Sequence, residues 1–218
     1  MTKTSSGLGQ FILSAILFAG CSPAPQYAFY RLSPDLDVNQ VKHTIPGTIL
    51  VTRPQSSGFI SDRPIIFRDS ESSLQLKRYR YNLWSETPTR MIQDAIVRIL
   101  RNQHIGDYVI TPAQRATADW IITGSLLRLE HLYSEDLSDV IIEMELSISS
   151  TTTRQVIFLQ CYRDQVSVSS GADLKSKLDM DEVVRTLNRS LQRLVIQFAE
   201  DTASALQQTS VISNTGCK

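Results

Sequence analysis

The sequence predicts an α+β domain, a two-layer sandwich in which a mixed, mainly antiparallel sheet packs against two amphipathic helices. Three observations lead to this fold class. Residues 140–149 alternate between apolar and polar side chains, which is typical of a half-buried strand. Residues 88–101 and 180–199 repeat apolar side chains at helical spacing instead. Strands and helices that each bury a single face favour packed layers.

Four short strands are predicted in the first part of the chain. Aromatic and β-branched residues form short runs that end at Pro, Gly or Ser, as strands bounded by turns do. These runs are 27–32, 48–52, 62–68 and 74–81. Pro64 has no N–H to donate, so the third run is expected either at a sheet edge or as a strand that begins at the proline.

The two helices carry recognisable start signals. The first begins with Thr87 as N-cap and Pro88 in the first turn, where a missing N–H costs nothing, and Gly106 is expected to end it. The second begins with Asp179 as N-cap, and Glu182 three residues later gives a capping-box pattern.

Three longer strands are predicted between the helices. Residues 120–129 are mostly apolar on both faces, which indicates a central position in the sheet. Residues 140–148 and 156–168 are joined by the polar turn 150–153, so they are expected to form a hairpin.

The start of the chain predicts export and lipid attachment. Residues 11–20 form an apolar run that is too short for a membrane span, which needs about 20 residues, but fits a secretory signal. The small residues Ala19 and Gly20 precede Cys21, an arrangement that resembles a bacterial lipobox, in which that cysteine is acylated, with palmitate among the expected chains. Ser22, where Asp would resemble the inner-membrane retention signal, favours the outer membrane, facing the periplasm. The alternative is a plain signal peptide cut near Ala24.

These signals divide the chain into four parts. The polar composition after residue 206 predicts that the end of the chain is disordered. The predicted parts are a signal peptide at 1–20, a lipidated tether at 21–26, a domain at 27–206 and a disordered tail at 207–218.

The overall composition excludes several classes of protein. The chain has 218 residues, with 22 Lys and Arg against 22 Asp and Glu. This zero net charge, without a basic run, argues against nucleic-acid binding. A hydrophobic fraction of 42% is enough for a core and argues against disorder of the whole chain.

The sequence contains no recognisable catalytic constellation. Its histidines lie far apart without partners and are expected at the surface: His43, His104 and His131. Glu143 and Glu145 could form an acid–base pair, but they lie on the polar face of a half-buried strand, where solvated carboxylates are expected. A phosphate-binding glycine loop and a nucleophile elbow are absent from the sequence. We therefore expect a protein that is not an enzyme and has no cofactor or metal.

Two cysteines remain besides Cys21. The periplasm permits a disulfide between Cys161 and Cys217. Free thiols are the ordinary expectation, because one residue lies in a predicted strand and the other at the end of the predicted tail.

Several short segments behind the lipobox-like sequence resemble one known family, the ABC-type transport auxiliary lipoproteins, which include the lipoprotein of the paraquat-inducible (Pqi) operon. The resemblance covers roughly residues 21–206. The polar loop 55–58 departs from the family, whose members often carry Pro and an apolar Tyr-Leu pair there. The matching segments are Tyr30-Arg31-Leu32-Ser33-Pro34, Asp62-Arg63-Pro64-Ile65-Ile66, Tyr81 with Trp84, Glu86 and Pro88, and Ala118-Asp119-Trp120-Ile121-Ile122-Thr123-Gly124-Ser125-Leu126.

The resemblance implies a non-catalytic role in transport. Family members work beside an ABC ATPase, a permease and a substrate-binding protein of the mammalian-cell-entry (MCE) type, in systems that move phospholipids or other apolar molecules across the envelope. A homo-oligomer is compatible with this role. Aromatic side chains often anchor interfaces, so the candidate partner contacts are Arg63, Tyr79, Tyr81 and Trp84. The alternative to a partner contact is a structural role. The aromatic residues would then pack in the core or in a turn, and Arg63 would form an ion pair within the domain.

Two other functions remain open at this stage. One is an envelope-assembly factor or an activator of a cell-wall synthase, which would purify with that enzyme instead of an MCE protein. The other is a periplasmic hydrolase, whose activity would depend on Glu143 or Glu145.

Overall fold

The computed structural model describes residues 26–34, 44–135, 138–168, 179–207, 214–215 and 217. The predicted signal peptide, Cys21 and the rest of the tether up to residue 25 lie outside the described residues, as does His43. In the part of the chain that is described, no helix has both the length and the apolar character needed to cross a bilayer.

The described chain contains strands β1 to β9 and helices α1 and α2. Most strands lie where alternation or β-branched runs predict them. In chain order the elements are β1 (Ala28–Tyr30), β2 (Ile45–Val51), β3 (Pro64–Arg68), β4 (Lys77–Trp84), α1 (Pro88–Asn102), β5 (Gly106–Ile110), β6 (Trp120–Tyr133), β7 (Ser138–Ser150), β8 (Val156–Ser167), α2 (Met180–Gln207) and β9 (Asn214–Thr215).

All nine strands belong to one sheet that branches at β6. The main order is β1-β4-β3-β6-β7-β8-β9, and β2 pairs with both β5 and β6. The first residues of β6 pair with β2, while residues 130–132 pair with β3. β6 can pair with both strands on the same side because it is 14 residues long. It is therefore central, as predicted.

The predicted α+β class is confirmed, whereas two details of the prediction are wrong. The sheet curls into a half-barrel instead of a flat layer of a sandwich. It is also truly mixed: β3–β4, β6–β7 and β7–β8 are antiparallel, but β1–β4, β2–β5, β2–β6, β3–β6 and β8–β9 are parallel. Parallel neighbours need long connections, such as α1 between β2 and β5, and side-chain alternation does not reveal such distant pairings.

The core lies between one face of the sheet and the two helices. The apolar positions of β7 that alternate along the strand are all at most 1% exposed: Val140, Ile142, Met144, Leu146 and Ile148. The apolar stripe of α2 faces them, with Leu191 and Val195 fully buried. The predicted β7–β8 hairpin is present over eleven paired positions.

Both helices begin at the predicted residues. Pro88 is the first residue of α1, and Thr87 is extended but makes no side-chain capping bond. At the start of α2, a carboxylate oxygen of Asp179 accepts from the Asp181 N–H at 3.0 Å. Glu182 does not complete the capping box, because its carboxylate pairs with Arg185 and Arg189.

Two strands were not predicted. Gly106, expected to end α1, instead begins β5, and α1 ends at Asn102. The tail predicted as disordered contributes β9, which pairs with β8 through Asn214 and Thr215. Cys217 forms a disulfide with Cys161 of β8, so the expectation of free thiols is wrong. The bond holds the end of the chain against the sheet, which local composition could not indicate.

Candidate interaction surface

One of the four predicted contact residues is in the main core. Trp84, the last residue of β4, is 1% exposed. Its backbone N–H donates to the backbone carbonyl of Arg63 at 2.7 Å, and its backbone carbonyl accepts from Arg63 Nε at 3.0 Å. The Trp84 side chain therefore offers no surface to a partner, and core packing replaces the contact role predicted for it.

Tyr79 is partly buried against the core and has polar partners inside the domain. Its ring stacks on Phe67 with 4.5 Å between centroids, and its hydroxyl lies 2.8 Å from Nδ1 of His131. Nε2 of His131 lies 3.0 Å from the hydroxyl of Ser138. Burial raises the pKa of Tyr79, so its hydroxyl stays protonated and can donate to the imidazole. The three side chains form a buried hydrogen-bonded chain.

His131 was expected at the surface, and this expectation is wrong. It is 0% exposed, because β6 continues to Tyr133 and places His131 opposite Val140 on the core side of the sheet. Burial lowers the pKa of His131 to about 4, so the imidazole is neutral at neutral pH.

This burial makes the stability of the domain depend on pH. An unfolded histidine has a pKa near 6.5, and His131 in the folded chain has a pKa of about 4. The stability conferred by the neutral imidazole is complete above pH 6.5 and is lost as the pH falls towards 4. We expect wild type to lose about 2.5 kcal/mol more than His131→Gln between pH 7.5 and 4.5. Urea unfolding of both proteins at the two pH values measures this; equal losses would contradict the burial of a neutral imidazole.

The other predicted contact residues lie on an exposed cluster of aromatic and arginine side chains at the β1–β4 edge. Three of its aromatic residues are far more exposed than aromatic side chains usually are: Tyr27 at 61%, Phe29 at 58% and Phe59 at 44%. We call this cluster the aromatic–arginine surface, and it consists of Tyr27, Phe29, Phe59, Tyr81, Arg63, Arg78 and Arg80.

Each side chain of this surface makes an edge-to-face or a cation–π contact with another of its members. The rings of Tyr27 and Tyr81 meet edge to face, 5.7 Å apart between centroids. Each arginine lies over a ring: Arg63 over Phe29 at 5.4 Å, Arg78 over Phe59 at 3.9 Å and Arg80 over Tyr81 at 5.3 Å. Because each guanidinium stacks on a ring, positive charge and apolar area are presented together.

Glu143 and Glu145 lie half-buried on β7, away from this surface in the sheet order. Glu143 is opposite Arg163, which also pairs with Glu71, and Glu145 is opposite Cys161. The Arg163 guanidinium lowers the pKa of Glu71, and the Glu71 carboxylate in turn raises the pKa of Arg163. In the strand register, Glu143 is therefore opposite a guanidinium and Glu145 is opposite a disulfide-bonded cysteine.

A carboxylate oxygen of Glu143 and the sulfurs of Cys161 and Cys217 lie within 4.8 Å of one another. This is ligand-like spacing for a metal ion. The two sulfurs are bonded to each other, so neither is a thiolate that could bind one.

The Tyr30-to-Pro34 segment links both helices to β1. Leu32 is buried in the core, and the Ser33 N–H donates to the side-chain oxygen of Asn188 in α2 at 2.7 Å. Arg98 of α1 donates to the Ser33 hydroxyl at 2.6 Å. This segment therefore fixes the β1 edge relative to the helices.

Solved structures share this fold. A protein from Xanthomonas campestris is 18% identical, with a TM-score of 0.70 over 84% of this chain and 98% of its own. A second crystal structure, of an uncharacterized protein, is 13% identical, with a TM-score of 0.61 over 81% of this chain and 99% of its own. A PelC dodecamer from Paraburkholderia phytofirmans is 10% identical, with a TM-score of 0.44 over 78% and 93%. The first two similarities show a common fold.

Sequence comparison identifies the family. Curated proteins contain no significant match to the chain. The family model described as ABC-type transport auxiliary lipoprotein component matches residues 30–199, which run from the last residue of β1 through most of α2. The chain therefore belongs to the family of ABC-type transport auxiliary lipoprotein components, membrane-anchored envelope proteins associated with ABC transport systems.

Proposed function

We propose that this chain is a non-catalytic outer-membrane lipoprotein that assists an ABC transport system in moving phospholipid or other apolar molecules across the cell envelope. The observation that carries the proposal is the family match over residues 30–199, directly behind a lipobox-like sequence that ends in Cys21. The domain and its anchor point therefore belong to one functional unit.

Acylation of Cys21 would hold the domain at a bilayer. Each buried methylene contributes about 0.8 kcal/mol, so two or more acyl chains anchor a protein stably. Palmitate is among the chains we expect, and Ser22 favours retention in the outer membrane, facing the periplasm. The anchor raises the local concentration of the domain for any partner beside the same membrane.

The proposed partners are an MCE-type substrate-binding protein, an ABC permease and its ATPase. In this scheme the ATPase supplies the energy, and the auxiliary domain docks to the conduit that shields lipid from water. Of the four residues predicted as partner contacts, Arg63 is exposed and Tyr81 is half-buried. The homo-oligomer that the family resemblance allows stays a prediction.

The non-catalytic role is supported by the surroundings of the candidate acid–base residues. Glu143 is opposite Arg163 in the strand register. His131 is neutral because it is buried, and the same burial keeps it out of contact with solvent. The hydrolase alternative makes the opposite prediction, that Glu143→Gln or Glu145→Gln abolishes a measurable activity of the purified protein.

Replacing the anchor residue should change where the protein is found. Cys21→Ala removes the thiol that would receive lipid, so we expect the variant to be soluble in the periplasm or to remain uncleaved. Fractionation followed by immunoblotting measures this, with Leu74→Ala, a substitution at a 98% exposed position, as the control. An unchanged membrane fraction for Cys21→Ala would contradict the anchor assignment.

The partners are tested by purifying the tagged protein from envelopes solubilised in detergent, with mass spectrometry of co-purifying proteins and lipids. We expect an MCE-type protein with its permease and ATPase, and much less of them with Cys21→Ala. Recovery of a cell-wall synthase or an envelope-assembly complex in their place would favour the alternative function and contradict this one.

A further inference from the structure

We propose that the aromatic–arginine surface lies on the phospholipid headgroups of the membrane that carries the anchor, and so fixes the orientation of the domain. This inference rests on the proposed acylation of Cys21. The surface consists of the seven residues defined above, at the β1–β4 edge of the sheet, where the described chain begins.

The length of the tether places this surface close to the bilayer. Tyr27 is six residues after Cys21. Fully extended chain spans at most about 3.5 Å per residue, so Tyr27 can be no more than about 20 Å from the anchored cysteine. The headgroup region adds about 5–8 Å on each side of the hydrocarbon. Tyr27, which belongs to this surface, therefore stays close to the bilayer whatever path the tether takes.

The exposed aromatic rings suit the membrane–water interface. Tyr27 and Phe29 are both more than half exposed, and Phe59 is 44% exposed. Exposed aromatic residues grouped in this way are characteristic of interaction sites, whereas single ones are ordinary. Tyr and Trp concentrate at headgroup level in membrane proteins because an apolar ring and a polar group meet both environments there, and Phe occurs on the apolar face of helices that bind the interface.

The charges of the surface fit phosphate. Arg78 pairs with Asp62, but no ion pair within the described residues involves Arg63 or Arg80. Guanidinium groups bind phosphate oxygens through paired N–H donors, and basic residues near an anionic bilayer are attracted to it. Arg63 and Arg80 each lie over a ring of the same surface, so a single approach can bury the rings and pair the cations.

A protein partner is the competing occupant of this surface. The covalent tether favours the bilayer, because it brings Tyr27 of this surface to within about 20 Å of the anchored cysteine in every molecule, before any partner is met. Binding to the bilayer also accounts for both the exposed rings and the arginines. Binding to a protein partner would not explain why these residues lie next to the anchor.

The test uses the full-length lipidated protein with a fluorescent reporter on the surface. Phe29→Trp places indole at an exposed position, and Tyr108→Trp, on β5 and 70% exposed, is the matched control. Both are incorporated into vesicles of phosphatidylethanolamine and phosphatidylglycerol, with or without brominated phosphatidylcholine. The emission of wild type is subtracted, and flotation on a density gradient is measured in parallel. Tyr27→Trp, at a 61% exposed position, is a second reporter should Phe29→Trp fail to fold.

We expect the brominated lipid to remove most of the added emission of Phe29→Trp or Tyr27→Trp and little of that of Tyr108→Trp. Quenching should increase with the phosphatidylglycerol content, and Arg63→Gln with Arg80→Gln should weaken that increase. A protein that floats while its surface reporters remain unquenched overturns the inference and leaves the surface to a protein partner. A protein that does not float contradicts the anchor and therefore the proposed function itself.

Discussion

Replacing Cys217 by Ser is expected to lower the free energy of unfolding by about 4 kcal/mol. The Cys161–Cys217 bond joins residues that are 56 positions apart, and closing a loop of that length restricts the unfolded chain strongly. The same bond holds Asn214 and Thr215 against β8, so its loss should also uncover that edge of the sheet. Urea unfolding of the oxidised protein measures the change.

Two controls separate the bond from the individual cysteines. Cys161→Ser should cause the same loss, and the double variant should lose no more than either single one, because all three lack the same bond. Reduced wild type should unfold at a urea concentration close to theirs. If oxidised and reduced wild type unfold at the same urea concentration, the bond does not stabilise the domain, which would contradict the role given to it at the C-terminal end.

The second large effect is expected at Trp84. Its side chain is 1% exposed within the main core, so Trp84→Ala leaves a large cavity and should cost about 3–5 kcal/mol. A loss of this size also lowers the amount of folded protein in the cell. Denaturant unfolding measures the first consequence, and immunoblotting of the envelope fraction measures the second.

Tyr81→Ala is the matched control for Trp84→Ala. Tyr81 lies on the same strand and was predicted to have the same role, but it is only partly buried. Its loss removes the edge contact with Tyr27, for which we expect about 1 kcal/mol or less. Equal destabilisation by the two substitutions would contradict the placement of Trp84 in the core and Tyr81 at the surface.

Elements with a strong local pattern could be predicted from the sequence. The alternation along β7, its hairpin with β8 and the starts of both helices depend on neighbouring residues, and they are present as expected. β5 and β9 could not be predicted in this way. β5 is short and follows α1 closely. β9 pairs with β8, and the disulfide between Cys161 and Cys217 joins the end of the chain to that strand.

The same distinction applies to the interaction surface. Arg63 and Tyr81 could be selected from the sequence because aromatic and arginine residues are enriched at interfaces. Which of the neighbouring aromatic residues faces inward depends on the irregular register between β3 and β4, and this irregularity is not visible in the sequence. Tyr79 and Trp84 are both on the inner side, although they are five positions apart and regular alternation would place them on opposite faces. Phe29 and Phe59 reach the surface through β1 and the turn before β3.

The most direct test of the account is the mass of the mature protein purified from membranes. We expect a chain of 198 residues, which is 218 minus the 20 of the signal peptide, and we expect this chain to begin at Cys21 and to carry covalently bound acyl chains. A mature chain that begins at another residue, or one that begins at Cys21 without lipid, would contradict the anchor on which both the proposed function and the orientation at the membrane depend.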